Sequence, residues 1–116
     1  MSPFLSIVIQ AYNEEQRITD TLLDIDSVMS RAGFVYEIIV VTDGATDNTP
    51  HVVESLQSRV KHLRLIANPE NHGKGYGVRQ GMLEAKGEWR LFTDADNSTT
   101  MREFEKFKPF LGDYDV

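Results

Sequence analysis

Short apolar runs alternate with longer amphipathic stretches along the whole chain. The runs are rich in β-branched and aliphatic residues, which favours buried β-strands. The second run is apolar at every position, as is typical of a strand with both faces covered in a parallel sheet. We therefore predict strands at residues 5–9, 38–41, 63–67 and 89–92.

Each predicted strand is followed by a stretch whose apolar residues recur at helical spacing. Asn13 is a candidate N-cap of the first helix, with Gln16 as its capping-box partner, and Gly33 would end that helix. Thr49 followed by Pro50 is typical of an N-cap and the first helical position. These signals predict the first two helices.

A third helix is predicted after a polar loop at residues 68–75. Thr100 and Glu103 form a possible capping box for a fourth helix, which Pro109 would end, and residues 115–116 resemble the start of a fifth strand. Repeated strand–helix units predict an α/β fold with a mostly parallel sheet and helices on both faces. Ligands of such sheets bind beyond the carboxyl ends of the strands.

Composition limits the possible partners of the chain. The 116 residues suit one domain, and 12 basic against 18 acidic side chains give a net charge of 12 − 18 = −6. An acidic chain is a poor candidate for binding nucleic acid or an anionic membrane surface. It contains no cysteine and no apolar segment long enough to span a bilayer, so we expect a cytoplasmic protein without a nucleic-acid partner.

Two carboxylates, Asp94 and Asp96, directly follow the fourth predicted strand. They repel each other unless a cation or hydrogen-bond donors lie between them. Mg²⁺ and Mn²⁺ prefer carboxylate oxygens and complete their coordination with water and substrate phosphates. The pattern therefore suggests a site for a metal ion and a diphosphate.

Polar groups follow two other predicted strands, and each also has a purely structural explanation. Asn13 and Glu14 could simply cap a helix, and Asp43-Gly44 is a common turn pair. The three histidines show no metal-ligand spacing and are expected on the surface; they are His51, His62 and His72.

A glycine-rich segment precedes the third predicted helix. Glycines at positions 73, 75 and 77 would let the backbone approach a ligand closely, and Lys74 and Arg79 are the cations best placed to help bind phosphate. The segment is neither a Walker A loop nor a dinucleotide fingerprint. A flexible loop with solvated cations is the alternative.

Together these segments resemble the donor-binding half of family-2 glycosyltransferases with the GT-A fold. Residues 11–15 (A-Y-N-E-E) resemble the opening motif of that family, residues 42–47 (T-D-G-A-T-D) its D-D-G-S-x-D motif and residues 93–96 its D-x-D motif. Residues 71–87 and 92–99 are most similar to the dolichyl-phosphate β-glucosyltransferase branch. The resemblance implies a Rossmann-like nucleotide-binding half of a GT-A fold.

The resemblance also assigns roles to individual residues of the donor site. Ala11, Tyr12 and Glu14 would line the nucleoside pocket, with Tyr12 packing against the base. Asp43 would accept a hydrogen bond from the uracil ring, and Lys74 would lie near the base or the diphosphate.

The D-x-D residues would serve the sugar and the metal ion. Asp94 would contact the ribose or the sugar and share in the metal site, and Asp96 would bind the Mg²⁺ or Mn²⁺ that bridges the diphosphate. The sequence departs from the family pattern at two positions. Thr42 replaces the first acid of D-D-G, and Gln10 replaces the usual proline before Ala-Tyr.

The implied activity is an inverting, metal-dependent transfer of a sugar, with glucose from UDP-glucose favoured, to a polyprenyl or dolichyl phosphate. Residues 1–116 would supply donor binding and end before the acceptor-binding part, so no catalytic base is assigned in this chain. The resemblance places the full-length enzyme at the cytoplasmic face of a membrane. An uncovered sheet edge would favour homo-oligomers.

Three other classes are alternatives. A nucleotide-binding module without catalysis would use the same residues. A nucleotidyltransferase would carry a glycine- and arginine-rich loop after the first strand, and that loop is missing. A receiver-like signalling domain would need an acidic pair after the first strand, where Gln10-Ala11-Tyr12 stands instead.

Overall fold

The computed structural model describes residues 4–33 and 35–94, without the side chains of Ala32, Lys74 and Asp94. The predicted fourth helix, the predicted fifth strand and Asp96 lie outside the described residues.

The chain forms four strands that alternate with three helices over these residues. In chain order they are β1 (Leu5–Gln10), α1 (Ile18–Ala32), β2 (Tyr36–Asp43), α2 (Thr49–Leu56), β3 (Leu63–Asn68), α3 (Lys74–Glu84) and β4 (Trp89–Asp94). All four strands that the apolar runs predict are confirmed. Each strand continues past its apolar run to a polar residue at its carboxyl end, so the strand ends carry the candidate chemistry.

The four strands form one parallel sheet in the order β3-β2-β1-β4. β1 lies in the interior, where Ile7 is in register with Ile38 of β2 on one side and Leu91 of β4 on the other. The chain leaves β1 toward β2 and β3 and then crosses back to β4, so the strand order reverses beside β1. In open α/β sheets such a reversal marks the ligand-binding crevice.

Helices cover both faces of the sheet, as predicted. α1 and α2 pack on one face through a core that includes Ile18, Leu22 and Val53. α3 packs on the opposite face, where the buried residues are Val8, Ile39, Val41 and Ala85. None of the helices within the described residues is long and apolar enough to cross a membrane.

Two glycines of α3 allow this helix to lie close to the sheet. A Cβ atom on Gly81 would be 2.4 Å from Val8 Cγ1, and one on Gly77 would be 2.8 Å from Gln10 Nε2. Glycine at position 77 therefore serves the packing of α3 against β1, and the close approach of this segment to a ligand stays a prediction. Nothing lies within 4 Å of a Cβ on Gly75.

The sequence misplaces the starts of the first two helices. α1 begins at Ile18 without a side-chain cap, because Asn13 forms its hydrogen bonds with the loop after β2. Gln16 therefore makes no capping box with Asn13. Thr49 is the first residue of α2 rather than its cap, and its hydroxyl accepts a hydrogen bond from the Glu14 backbone.

A buried polar network joins the amino ends of the strands. Glu37 is 5% exposed, and its Oε2 accepts hydrogen bonds from Ser6 Oγ (2.6 Å) and the Lys86 backbone N–H (2.7 Å). Its Oε1 accepts one from Arg64 at 3.0 Å. Burial alone would raise the pKa of Glu37, but these hydrogen bonds outweigh it and hold the pKa below its ordinary value of 4.5.

Candidate functional site

The polar ends of the strands meet at one edge of the sheet. Register pairs Asp43 with Asn68 and Gln10 with Asp94. Side chains along a strand alternate between the two faces of the sheet, so each side chain shares its face with the one two positions before it. The residues two positions before Gln10, Asp43 and Asn68 all pack toward α3. These three side chains therefore share the face that α3 covers.

Asp43 is the central acceptor of this edge. It is 3% exposed, and its Oδ1 accepts hydrogen bonds from Asn68 Nδ2 (3.1 Å) and His72 Nδ1 (2.9 Å). Its Oδ2 accepts the His72 backbone N–H at 2.6 Å. Burial alone would raise the pKa of Asp43, but the hydrogen bonds from His72 and Asn68 lower it below its ordinary value of 3.8. The carboxylate is therefore ionised near neutral pH.

Asn68 links this carboxylate to α3. Its Nδ2 also donates to Gln80 Oε1 at 2.6 Å, and Gln80 Nε2 donates back to Asn68 Oδ1 at 3.3 Å. The reciprocal pair fixes the Asn68 amide, so one donor to Asp43 is held in place by a helix that itself packs closely on the sheet.

The segment between β3 and α3 lies directly over the end of β2. Gly44 adopts a φ of +73°, and a Cβ atom there would be 2.6 Å from the Asn71 backbone nitrogen. The Gly44 N–H donates to the Asn68 carbonyl at 2.9 Å. The His72 ring stacks on Tyr76 with 4.3 Å between ring centroids and an interplanar angle of 25°. Glycine at position 44 is thus what permits His72 to reach Asp43.

A second set of hydrogen bonds locks the loops after β1 and β2 together. Asn13 Oδ1 accepts the backbone N–H groups of Thr46 (2.9 Å) and Asp47 (3.3 Å), and Asn13 Nδ2 donates to Thr46 Oγ1 at 3.0 Å. Asn13 has a φ of +52°, a conformation that asparagine adopts more readily than most residues. The two loops therefore form one unit.

Asp47 strengthens this unit from the other side. Its Oδ1 accepts both the backbone N–H (3.0 Å) and the hydroxyl (2.5 Å) of Thr49, and its Oδ2 accepts the Glu15 N–H at 3.2 Å. Burial alone would raise the pKa of Asp47, but these bonds lower it below 3.8. Asp47 is thus a structural acid of the second motif, whereas Asp43 faces the α3 side.

The residues expected to line the nucleoside pocket have different surroundings. Tyr12 is 50% exposed, so its ring is available to a ligand. Ala11 is fully buried in the core of the α1 face, and its N–H donates to the Val41 carbonyl. The Glu14 side chain is 20% exposed and its Oε2 lies 3.0 Å from Arg17 Nε as an ion pair without hydrogen-bond geometry.

The expected phosphate- and metal-binding residues are placed only by their backbones. Lys74 is the first residue of α3, and Asp94 is the last residue of β4, in register with Gln10. Asp96 lies outside the described residues. Within residues 4–33 and 35–94, no group of three or more acidic or histidine side chains is placed to hold a metal ion.

The two departures from the family pattern both leave a buried oxygen unpaired. Gln10 Oε1 and Thr42 Oγ1 have no hydrogen-bond partner within the described part of the chain. Thr42 is 1% exposed. Side chains alternate along β2, so the Thr42 side chain lies on the face that α1 and α2 cover, opposite to the face of Asp43. Gln10 shares the Asp43 face, and a ligand in the crevice could approach it.

Sequence reasoning missed three residues around Asp43: Asn68, His72 and Gln80. Asn68 directly follows the third predicted strand, and this position was the one available signal. His72 is exposed, as predicted, but its backbone and ring both contact the candidate acid. Because the ionised Asp43 can only accept hydrogen bonds, it is suited to bind a ligand group that donates one.

Comparison with known proteins agrees with this arrangement. The sequence profile of Glycosyl transferase family 2 matches residues 6–116. The dolichyl-phosphate β-glucosyltransferase of Saccharomyces cerevisiae is 39% identical over 109 residues, which are 89% of this chain and 33% of the yeast protein. The human protein of the same name is 34% identical over 116 residues, which are 94% of this chain and 36% of that protein. The chain thus spans about a third of the length of these relatives.

Solved structures show the same fold. A mannosyltransferase from Pyrobaculum calidifontis, in complex with GDP-Man and Mn²⁺, matches with a TM-score of 0.68 and 27% sequence identity. The match covers 83% of this chain and 28% of the mannosyltransferase chain. Residues 1–349 of S. aureus TarS, in complex with UDP-GlcNAc, match with a TM-score of 0.68 and 28% sequence identity. The match covers 91% of this chain and 31% of the TarS chain. With its parallel sheet, its polar strand ends and a match to nearly all of its length, the chain belongs to glycosyl transferase family 2.

Proposed function

We propose that this chain is the donor-binding part, residues 1–116, of an inverting hexosyltransferase. The donor is a nucleoside-diphosphate sugar, with UDP-glucose favoured, and the acceptor of the whole enzyme is a dolichyl or polyprenyl phosphate. The names of the curated relatives support the acceptor and the glucosyl group. The UDP-sugar complex of a structural neighbour supports the class of donor.

The observation that carries the proposal is the buried, ionised Asp43 at the carboxyl end of β2, the strand next to β1. A carboxylate held in that state accepts hydrogen bonds and donates none. It therefore favours a base that presents a ring N–H, such as uracil, over cytosine, whose equivalent ring nitrogen is an acceptor. The half-exposed ring of Tyr12 is available to stack on such a base.

Asp96, with Asp94, is the proposed holder of Mg²⁺ or Mn²⁺, and β4 delivers Asp94 to the same edge as Gln10. When bound, the cation neutralises charge that develops on the departing diphosphate. The complex of a structural neighbour with Mn²⁺ supports a divalent ion of this kind.

A phosphate acceptor is already anionic, so it needs less help from a general base than a hydroxyl does. We assign no catalytic base to this chain. The lipid-phosphate acceptor would bring the full-length enzyme to the cytoplasmic face of a membrane. The edge strand β3 is open on one side within the described sheet, which supports self-association of this chain.

Calorimetric titration of the chain with UDP, CDP and GDP, each with Mn²⁺ and with EDTA, tests the proposal. We expect Mn²⁺-dependent binding of UDP that exceeds binding of CDP. Asp96→Ala should abolish the effect of Mn²⁺. Asp43→Asn removes a charge-assisted hydrogen bond of roughly 1.5–3 kcal/mol and should weaken UDP binding roughly ten- to a hundredfold.

Asp20→Asn is the matched control, since Asp20 is an exposed aspartate on α1 and should leave UDP binding unchanged. If a folded wild-type chain bound none of the nucleotides with Mn²⁺, a donor-binding role for this chain would be refuted. Tighter binding of GDP than of UDP would instead redirect the proposal to a guanosine-diphosphate sugar.

A further inference from the structure

His72 occupies part of the acceptor that the proposed donor would use. A carboxylate oxygen has about two lone-pair sites. Both sites of Asp43 Oδ1 are occupied, one by Asn68 Nδ2 and one by His72 Nδ1. Oδ2 accepts the His72 backbone N–H, and the whole residue is 3% exposed. Oδ2 keeps one site by the same count, but the carboxylate is 3% exposed, so a further N–H donor can reach either oxygen only if a group that now covers it moves away.

The two side-chain donors differ in how firmly they are held. Asn68 is fixed by its reciprocal hydrogen bonds with Gln80. The His72 side chain is 39% exposed, and its contacts are the bond to Asp43 and the stack on Tyr76, which is itself 47% exposed. The imidazole can therefore turn into solvent without uncovering buried apolar surface, whereas the Asn68 amide cannot move without breaking its link to α3.

We infer that the His72 imidazole holds the place of the nucleobase on Asp43, and that donor binding replaces its Nδ1–H with a ring N–H of the base. This inference rests on the proposed function, and it makes His72 a specificity-determining residue for the donor. A base with an N–H restores the hydrogen bond that Asp43 loses when the imidazole leaves. A base that presents an acceptor leaves a buried carboxylate with one donor fewer, which is unfavourable.

The test compares UDP and CDP binding to the full chain and to His72→Ala in the presence of Mn²⁺. Removing the competing donor should tighten UDP binding about tenfold, which is the effect of one hydrogen bond to a charged group, and should leave CDP binding unchanged. His72→Phe keeps an aromatic ring beside Tyr76 but cannot donate, so it should behave like His72→Ala. It also provides a second reading if the alanine variant folds poorly.

His51→Ala is the matched control, because His51 is an exposed histidine on α2 and should bind both nucleotides as the wild type does. In the wild type, the ring-nitrogen NMR signal of His72 should shift on addition of UDP, as its Nδ1 exchanges Asp43 for water, and should not shift on addition of CDP. This signal reports the exchange itself and does not depend on any variant.

The outcomes separate the inference from the proposed function. If the wild type binds UDP and the two His72 variants bind it equally or more weakly, His72 does not compete and the inference is overturned, while the donor site stands. If neither the wild type nor the His72 variants bind UDP with Mn²⁺, the proposed function fails and the inference fails with it.

Discussion

The close contact between α3 and the sheet makes a sharp prediction for a single methyl group. A Cβ on Gly81 would lie 2.4 Å from Val8 Cγ1 and 3.1 Å from Val41 Cγ2. Carbon atoms in contact are ordinarily about 3.5–4.0 Å apart, so Gly81→Ala requires a separation of about 1 Å between α3 and β1. Val8 is β-branched and fully buried, so it cannot turn away easily.

The expected loss of stability follows from two opposing effects. Overpacking of this kind costs roughly 1–3 kcal/mol. Alanine is favoured over glycine inside a helix by about 1 kcal/mol, which offsets part of that cost. Taking the middle of the overpacking range, about 2 kcal/mol, and subtracting about 1 kcal/mol, we expect a net loss of about 1 kcal/mol in the free energy of unfolding, or about 4 °C in melting temperature for a chain of this size.

Gly75→Ala is the matched control, because it makes the same change in the same helix where nothing lies within 4 Å. It should leave stability unchanged or raise it slightly. Displacement of α3 also moves Gln80 and so loosens Asn68 beside Asp43, so Gly81→Ala should weaken UDP binding several-fold. Urea unfolding and calorimetry measure both quantities. A Gly81→Ala chain with wild-type stability and wild-type UDP affinity would refute the packing argument.

Three further predictions concern other parts of the chain. Glu37→Gln puts an amide group against buried donors and should lower the free energy of unfolding in urea by about 2–4 kcal/mol. The control Glu88→Gln, on the exposed surface, should lower it by less than about 0.5 kcal/mol. Equal effects of the two substitutions would contradict the network around Glu37. The fold lowers the pKa of Glu37 and that of Asp43, so their ionised carboxylates stabilise the folded chain. This contribution is complete above pH 4.5 and is lost as the pH falls through the pKa values of the folded state. A melting temperature that rises below about pH 4 would contradict this. Asn13→Gly keeps the positive φ but removes the hydrogen bonds to the loop after β2. It should lower the free energy of unfolding, measured by thermal unfolding, by about 1–2 kcal/mol. A wild-type melting temperature would show that other contacts hold the two loops together.

The strands could be predicted from the sequence because their signal is local. Four short apolar runs, β-branched in β1 and β2, set the strands, and the fully apolar run in β2 correctly indicated a strand covered on both faces. Helix starts were predicted less well, since a polar residue such as Asn13 can cap its own helix or bind a neighbouring loop. The sequence does not show which of these partners lies closer in space.

The surroundings of Asp43 could not be predicted for the same reason. Its partners Asn68 and His72 and the residue that holds Asn68, Gln80, lie 25 or more residues away along the chain, and no spacing rule connects them. Motif resemblance identified the acid itself but not the groups that hold it. The role of the glycines in α3 could not be predicted either. Glycine in a ligand-binding loop and glycine at a contact between a helix and a sheet look alike in a sequence.

The interior place of β1 has a consequence for how the chain folds. Of the described strands, β1 comes first along the chain and pairs with β4, which comes last, since Leu5 is in register with Trp89. Contacts this remote in sequence slow folding, because the intervening loop must close before they form. A nascent chain would therefore carry an unpaired β1 edge until β4 emerges. Trp89 is the single tryptophan of the chain and begins β4, so its fluorescence should report the closing of the sheet as a late step of refolding.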